Sequence, residues 1–367
     1  MDLSVSEKLK ERLSGPISSA ALELFVGLTL AFWTFFRVLL VHSSLASSYW
    51  VGTNKPMQYV QAIVLGLLIA AVACKELDLK PVGMALLFCL LFSSVSLWRM
   101  EGNLNLLVLA LFLVASRGMS LRRLARYYIA AVIAAIAAAV LLVCAMKVRH
   151  GEFVLKDALL LRYGFENQYV MAVAIFSALA AAAMIVRKQR LKHMLMVASA
   201  LCAVVAFVPL HAKRMAIFMI ALGACVYLTE IKRDDLLRLL SRREVRVALA
   251  ALPIALFCVS NDLAEFYSVD LGRSGYARLV PTFGYLFTVC LGVMYARATL
   301  ARPCLKGNLI VFLVVILYVL LLIIETQPIY LEFNFSLLLL GLALDQSDAC
   351  VLGDSQGSSA TRMTRSS

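Results

Sequence analysis

A bundle of membrane-spanning α-helices is the fold class this sequence predicts, and three observations lead to it. Hydrophobic residues make up 62% of the 367 positions and charged residues only 16%. Mean hydropathy is +0.89, above the range of a water-soluble domain. Apolar runs of about 15–22 residues recur along nearly the whole chain, and a helix needs roughly 20 to cross the hydrocarbon core. A transmembrane β-barrel would instead alternate apolar and polar residues in shorter segments, and no such alternation is present.

Taken in order, the chain opens on a polar segment, residues 1–19 (MDLSVSEKLKERLSGP and the residues that follow). It lacks the compact basic, apolar and small-residue succession of a cleaved signal, so the first span is expected to direct insertion itself. Twelve spans follow, at about 20–41, 59–74, 81–98, 103–116, 127–146, 169–186, 194–210, 214–229, 247–260, 282–296, 307–324 and 330–344. The fourth (NLNLLVLALFLVA) and ninth (RVALAALPIALFCV) are short. The spans and the loops that join them form one unit, 20–344. A small-residue-rich tail, 345–367, is expected to be disordered. No soluble catalytic domain is encoded, so any chemistry belongs to the bundle and its loops.

Basic residues orient the bundle. With the N-terminus cytoplasmic, the cytoplasmic segments carry 24 Lys and Arg and the opposite side 10. That asymmetry is the signature of cytoplasmic loops. SRGMSLRRLARY, VRKQRLKH and EIKRDDLLRLLSRREVR are the most basic of these connections. Both termini are therefore expected inside, in a multi-pass protein of the cytoplasmic membrane. The net charge of +13 then records topology and contact with anionic lipid headgroups rather than binding to nucleic acid. The nine cysteines lie mostly within or beside apolar runs without a CxxC pair. They read as small buried hydrophobes, not as a disulfide framework or zinc site.

Two larger segments face outward, 147–168 and 261–281. The first contains EFVLKDALLLR, which suits a short interfacial helix, and closes on RYGFENQYV. Basic residues on this side oppose the orientation signal and so need a reason. Arg162 opens that closing stretch, Lys213 and Arg214 occupy the short turn PLHAKRMA, and Arg273 and Arg278 lie in LGRSGYARL. Together they would make a cationic cup for phosphate oxygens, which guanidinium forks match in geometry. The competing reading has each one snorkelling to lipid phosphates or pairing with Glu265 or Asp270. Acids at the outer ends of the last two spans are functional candidates because an acid at that depth is costly unless paired. These are Glu325, and Glu332 with Asn334. His42, His150 and His211 are outer histidines that could act as bases, His211 being nearest the basic turn. None has metal-ligand spacing, and neither a nucleophile elbow, a P-loop nor a DxD pair occurs.

The order RYGFENQYV, HAKRMAIF, LGRSGYARL, ETQPIYLEFN resembles the Wzy-type polymerases of O-antigen, capsule and exopolysaccharide repeat units, over the C-terminal two-thirds of the chain. Where many members carry His-Pro-Asn after Gly-Phe, this chain has Asn167-Gln168-Tyr169, and Lys213-Arg214 stands where Ser-Arg is common. The resemblance implies a GT-C-like, metal-independent glycosyltransferase without a cofactor. Its substrate would be glycan linked to undecaprenyl pyrophosphate, and its partners the lipid bilayer, a chain-length regulator and a flippase. On that reading Arg162, Arg214, Arg273 and Arg278 hold the pyrophosphates, with Asn167, Lys213 and Asn334 also binding substrate. Glu325 or His211 takes the acceptor proton, and Arg214 and Arg273 stabilise the leaving group. An O-antigen-ligase-like transferase shares this architecture. A secondary transporter or flippase fits the span count. It lacks support from a long central loop or from charges deep in the spans, where Arg37 and Glu23 are the exceptions.

Overall fold

A computed structural model describes residues 19–42, 55–74, 105–116, 119–150, 165, 168–267, 295, 309–322, 331–334 and 337. The elements they form are helical: α1 (Ser19–Val41), α2 (Lys55–Ala73), α3 (Asn105–Ala115), α4 (Leu121–His150), α5 (Gln168–Ile185), α6 (Gln189–Phe207), α7 (Lys213–Ile231), α8 (Arg233–Ser241), α9 (Arg243–Tyr267) and α10 (Leu309–Leu321), then a 3-10 turn at Leu331–Phe333. Among the described residues, α1, α2, α4, α6 and α7 are long and apolar enough to cross a membrane, and α5 and α10 are shorter apolar helices.

These helices follow the apolar runs closely, with informative differences. The run expected at 127–146 lies inside α4, whose 30 residues extend to His150, so the outer segment expected from 147 begins helical. The weak run at 247–260 lies within the 25-residue α9, which tolerates Pro253 inside it. The segment expected as an outer loop at 261–281 therefore opens as helix through Tyr267. The run at 103–116 forms the 11-residue α3. The last expected span, 330–344, does not open as an α-helix but as the 3-10 turn. The expected span 81–98, the core of 282–296, the interfacial helix of the 147–168 segment and the tail lie outside the described residues.

Packing begins with α1 and α4, which run parallel. Glu23 near the start of α1 accepts the Ser120 N–H at 2.7 Å and the Arg123 guanidinium at 2.5 Å. Ser120 O in turn receives the Arg123 and Leu124 amides, opening α4. A carboxylate there meets the positive end of the helix dipole and an orphan N–H. One turn along, Gly27 lies against the Tyr127 ring: a Cβ at position 27 would sit 2.3 Å from Tyr127 Cδ2. Small residues at helix contacts are how membrane helices approach closely, because lipid provides no hydrophobic drive between them. Gly27→Leu should therefore force the helices apart and cost about 1–3 kcal/mol. Unfolding of the detergent-solubilised variant checks this, and adding Tyr127→Ala should recover much of the loss.

The bundle closes around α5. Ala172, Val173, Ala174, Phe176, Ala180 and Ala181 on α5 are all fully buried, as expected of a helix with neighbours on every side. α4, α7 and α10 pack on it, and Phe176 meets the rings of Phe218 on α7 and Tyr318 on α10 edge-on. α6 and α7 form an antiparallel hairpin, marked by Gly223 against Ser199 and His193 near Glu230. Its outer stripe leaves Met194, Val197, Leu201, Val204, Ile217 and Ile220 exposed. So continuous an apolar surface is hostile to water and suits lipid tails.

Candidate functional site

Four polar side chains, Arg37, His42, Tyr128 and Ser177, converge on the 3-10 turn. Glu332 is 1% exposed, so its carboxylate must find partners within the protein or remain uncompensated at a cost of several kcal/mol. Two residues at the C-terminal end of α1 provide them. Arg37 Nε donates to Glu332 Oε1 at 2.8 Å, and His42 Nε2 lies 3.3 Å from the same oxygen. Helix geometry places these residues. Long side chains lean toward the helix N-terminus, so Arg37 reaches back over Trp33 one turn earlier, its Cζ 5.6 Å from the ring centroid. That cation–π contact and the carboxylate hold the guanidinium from two sides. The His42 ring stands edge-on to Phe333, centroids 4.7 Å apart.

The backbone of the turn is held as firmly as its side chain. A 3-10 turn makes poorer internal hydrogen bonds than an α-helix, and side chains of two neighbouring helices reach the carbonyls of Glu332 and Phe333. Tyr128 on α4 donates its hydroxyl to Glu332 O at 2.9 Å. Ser177, near the middle of α5, lies 2.5 Å from Phe333 O and 2.8 Å from Val173 O, its single proton shared between two carbonyls. Asn334 N–H closes on Leu331 O at 3.2 Å, and Leu337 N–H on Asn334 O at 3.1 Å. Irregular backbone at such a place in a membrane bundle persists only when protein or water satisfies its polar groups. α1 and the residue that follows it, α4 and α5 thus grip one turn through Arg37 and His42, Tyr128, and Ser177.

Of the residues expected to form the site, the structure brings Asn334 into this cluster, 3% exposed and two positions after Glu332. It leaves His211 exposed on the turn between α6 and α7, and it places Lys213 and Arg214, expected in that turn, as the exposed first two residues of α7, with Lys213 Nζ 5.9 Å over the Phe207 ring. Arg162, Asn167, Arg273, Arg278 and Glu325 lie outside the described residues. Sequence reasoning did not assign Arg37, Tyr128 or Ser177 to a site, and it ranked His42 only as one of three outer histidines. A signal existed for the first: an arginine inside the first apolar run needs an acid, and Glu325 and Glu332 were the acids standing at the edges of other runs. Nothing in the sequence pointed to Tyr128 or Ser177, because hydroxyls within apolar helices commonly bond their own backbone.

The chain matches no protein-family model, no curated protein and no solved structure. The chemistry of the site therefore rests on its geometry. An imidazole next to a buried carboxylate is oriented by it. In the tautomer that directs an Nε2 proton at Glu332, Nδ1 is the basic nitrogen of the ring. Among the described residues, no three His, Cys, Asp or Glu side chains gather as metal ligands would.

His211 has a separate structural oddity. Its φ of 49° is left-handed, a conformation that costs a non-glycine residue about 1–2 kcal/mol. His211→Gly should therefore unfold at the same temperature or higher, while the β-branched His211→Val should unfold lower. Because the glycine variant keeps the turn, activity lost in it would report the imidazole rather than the fold.

Proposed function

We propose that this chain is a membrane-embedded glycosyltransferase that joins lipid-pyrophosphate-linked oligosaccharide repeat units, with His42, held by Glu332 and Arg37, as the base. The observation that carries the reading is the base–carboxylate–guanidinium arrangement at a break in helical backbone inside the bundle. The frame is twelve spans, GT-C-like, with both termini cytoplasmic. In that frame α1 and α6 both end on the outer side of the cytoplasmic membrane, so His42 faces the same leaflet as His211 and the basic start of α7, Lys213 and Arg214. An undecaprenyl-pyrophosphate donor presents its leaving group there, which removes any need for a nucleotide site.

In the proposed step the acceptor hydroxyl oxygen bonds to the anomeric carbon of the donor sugar. The bond from that carbon to the pyrophosphate oxygen breaks, and its electron pair leaves with the pyrophosphate. The hydroxyl proton passes to His42. Arg214, together with Arg162, Arg273 and Arg278 of the outer segments, neutralises the charge that accumulates on the pyrophosphate. Glu332 and Arg37 position the base rather than touch the sugar.

A second reading draws on the same break. Discontinuous helices with a buried acid recur at the ion and substrate sites of secondary transporters. One experiment separates the two. The gene is deleted, lipid-linked glycan and surface polysaccharide are resolved on a gel, and wild type, His42→Gln and Arg214→Ala are returned. The expected result is single repeat units in place of a ladder, restored by wild type and by neither variant. An unchanged ladder after deletion sinks the glycan reading and leaves transport. Full-length polymer retained on lipid but missing from its final anchor would mean a ligase.

A further inference from the structure

The end of the molecule where α6 begins and α7 finishes carries a dense set of cations that the proposed chemistry does not use. The three-residue connection from α5 and the first turn of α6 hold Arg187, Lys188, Arg190 and Lys192, with no acid between them. The α6–α7 hairpin brings this stretch to the end of α7: His193 Nε2 lies 3.8 Å from Glu230 Oε2, just before Lys232 and Arg233. From there the nine-residue α8 and the start of α9 add Arg238, Arg242 and Arg243. All of these cations are exposed except Lys192, which is half-buried. The acids nearby are fewer: Glu230, Asp234, Asp235 and Glu244. Asp235 is 3.9 Å from Lys232.

The way α8 is mounted makes this surface more than a run of loop charges. Leu240 is buried against Leu309 and Phe312 of α10, and Leu236 and Leu237 pack on the same cluster with Val245 and Leu249 of α9. Three of its four leucines are therefore spent on the protein rather than the bilayer, and Leu239 alone of them is exposed. α8 cannot sink into the acyl region as a free amphipathic helix would. What it presents outward is Arg233 and Arg238 with Asp234, Asp235 and Leu239, and Lys232, Arg242 and Arg243 flank it, so the surplus of cations at the rim of the apolar bundle comes from its two ends and from the facing stretch 187–192. Next to that rim, Met194 and Leu191 on α6 and Ile231 and Leu228 on α7 are exposed and apolar. Cations bordering a lipid-exposed stripe fit a ligand with a phosphate head and acyl tails.

We propose that this end is a binding surface for anionic phospholipid headgroups, seated between the basic turn 187–192 and the α8–α9 junction, with the acyl chains along the α6–α7 stripe. Rigid mounting distinguishes it from a diffuse attraction of basic loops to a negative leaflet: a few lipid molecules are held at this place and travel with the protein. The proposal is independent of the glycan chemistry and would stand if that failed.

The test uses the full chain purified from nanodiscs containing phosphatidylglycerol and phosphatidylcholine in equal amounts. Lipid retained on the protein is counted by native mass spectrometry. Wild type should retain phosphatidylglycerol several-fold over phosphatidylcholine. The combined Lys188→Gln, Arg190→Gln, Arg238→Gln, Arg242→Gln, Arg243→Gln variant should lose about tenfold or more of that preference. Replacing the same three α8–α9 arginines by lysine should keep most of it. Equal retention of the two lipids by wild type, or a preference unchanged in the glutamine variant, overturns the proposal. If the glutamine variant does not fold, the wild-type preference is instead measured at rising salt. There it should fall only modestly for a seated lipid, and a complete collapse would mean diffuse attraction only. Retained RNA or an acidic protein in place of lipid would also overturn it.

Discussion

Arg37→Met should lower stability by about 3 kcal/mol, because it strands the Glu332 carboxylate inside the bundle. Both partners are almost fully buried, with side-chain exposures of 8% for Arg37 and 2% for Glu332, so little solvent is at hand to screen the loss. His42 remains 3.3 Å from the same oxygen and can take part of the charge when protonated. Glu332→Gln should be milder than Arg37→Met, since an amide still accepts the Arg37 N–H. The most informative protein is the double variant Arg37→Met, Glu332→Met. If the pair stabilises mainly by mutual compensation, the double variant should be more stable than Arg37→Met alone, giving a coupling of about 1–3 kcal/mol in a double-mutant cycle. Thermal unfolding in one detergent at fixed protein concentration measures all four corners. Additive losses would show that the two side chains act separately, and the cluster would then lose its claim to be a unit.

The second large effect is expected from the hydroxyls that hold the turn. Tyr128→Phe removes the donor to Glu332 O, and Ser177→Ala removes the donor to Phe333 O. In a membrane helix such a loss averages only about 0.6 kcal/mol, because the unfolded state finds substitutes. Here the accepting carbonyls belong to a buried 3-10 turn rather than to the interior of a long helix, so the cost should lie nearer the roughly 1–3 kcal/mol of an unsatisfied buried acceptor. The effect should also be local. Hydrogen exchange at the Asn334 and Leu337 amides, which close on Leu331 O and Asn334 O, should quicken in both variants while the interior of α5 stays protected. Under the proposed chemistry, loosening the turn misplaces Glu332 and so the His42 ring. Both variants should then make shorter polymer from protein that still reaches the membrane. Unchanged exchange at 334 and 337 would mean that the turn holds itself.

These expectations also mark where sequence and structure divide. The apolar runs determined the helices, because about 20 apolar residues in succession have no other stable arrangement in lipid than one with every backbone bond made internally. α1, α2, α6 and α7 stand within a few residues of their runs. The charge pattern determined where basic residues gather, including the stretches 187–192 and 232–243. Boundaries were less legible where polar residues continue a helix past its apolar part. Thus α4 reaches His150 and α9 reaches Tyr267, since backbone hydrogen bonds do not stop where hydropathy does.

The site was legible only in fragments. Glu332 and Asn334 were visible as polar residues beside an apolar run, and Arg37 as an anomaly inside one. That Arg37, His42 and Glu332 meet is a contact across some 290 positions, and no local pattern records which distant charge compensates which. His211, one of the two expected bases, proved to be an exposed turn residue whose peculiarity is its backbone, while His42 stands against the acid. The 3-10 turn is the clearest case. Its residues, Leu331, Glu332 and Phe333, would continue a helix on propensity alone. Only the tertiary structure decided otherwise, because Tyr128 and Ser177 offer the carbonyls partners, and Arg37 and His42 the carboxylate, that an unbroken helix would have turned away from.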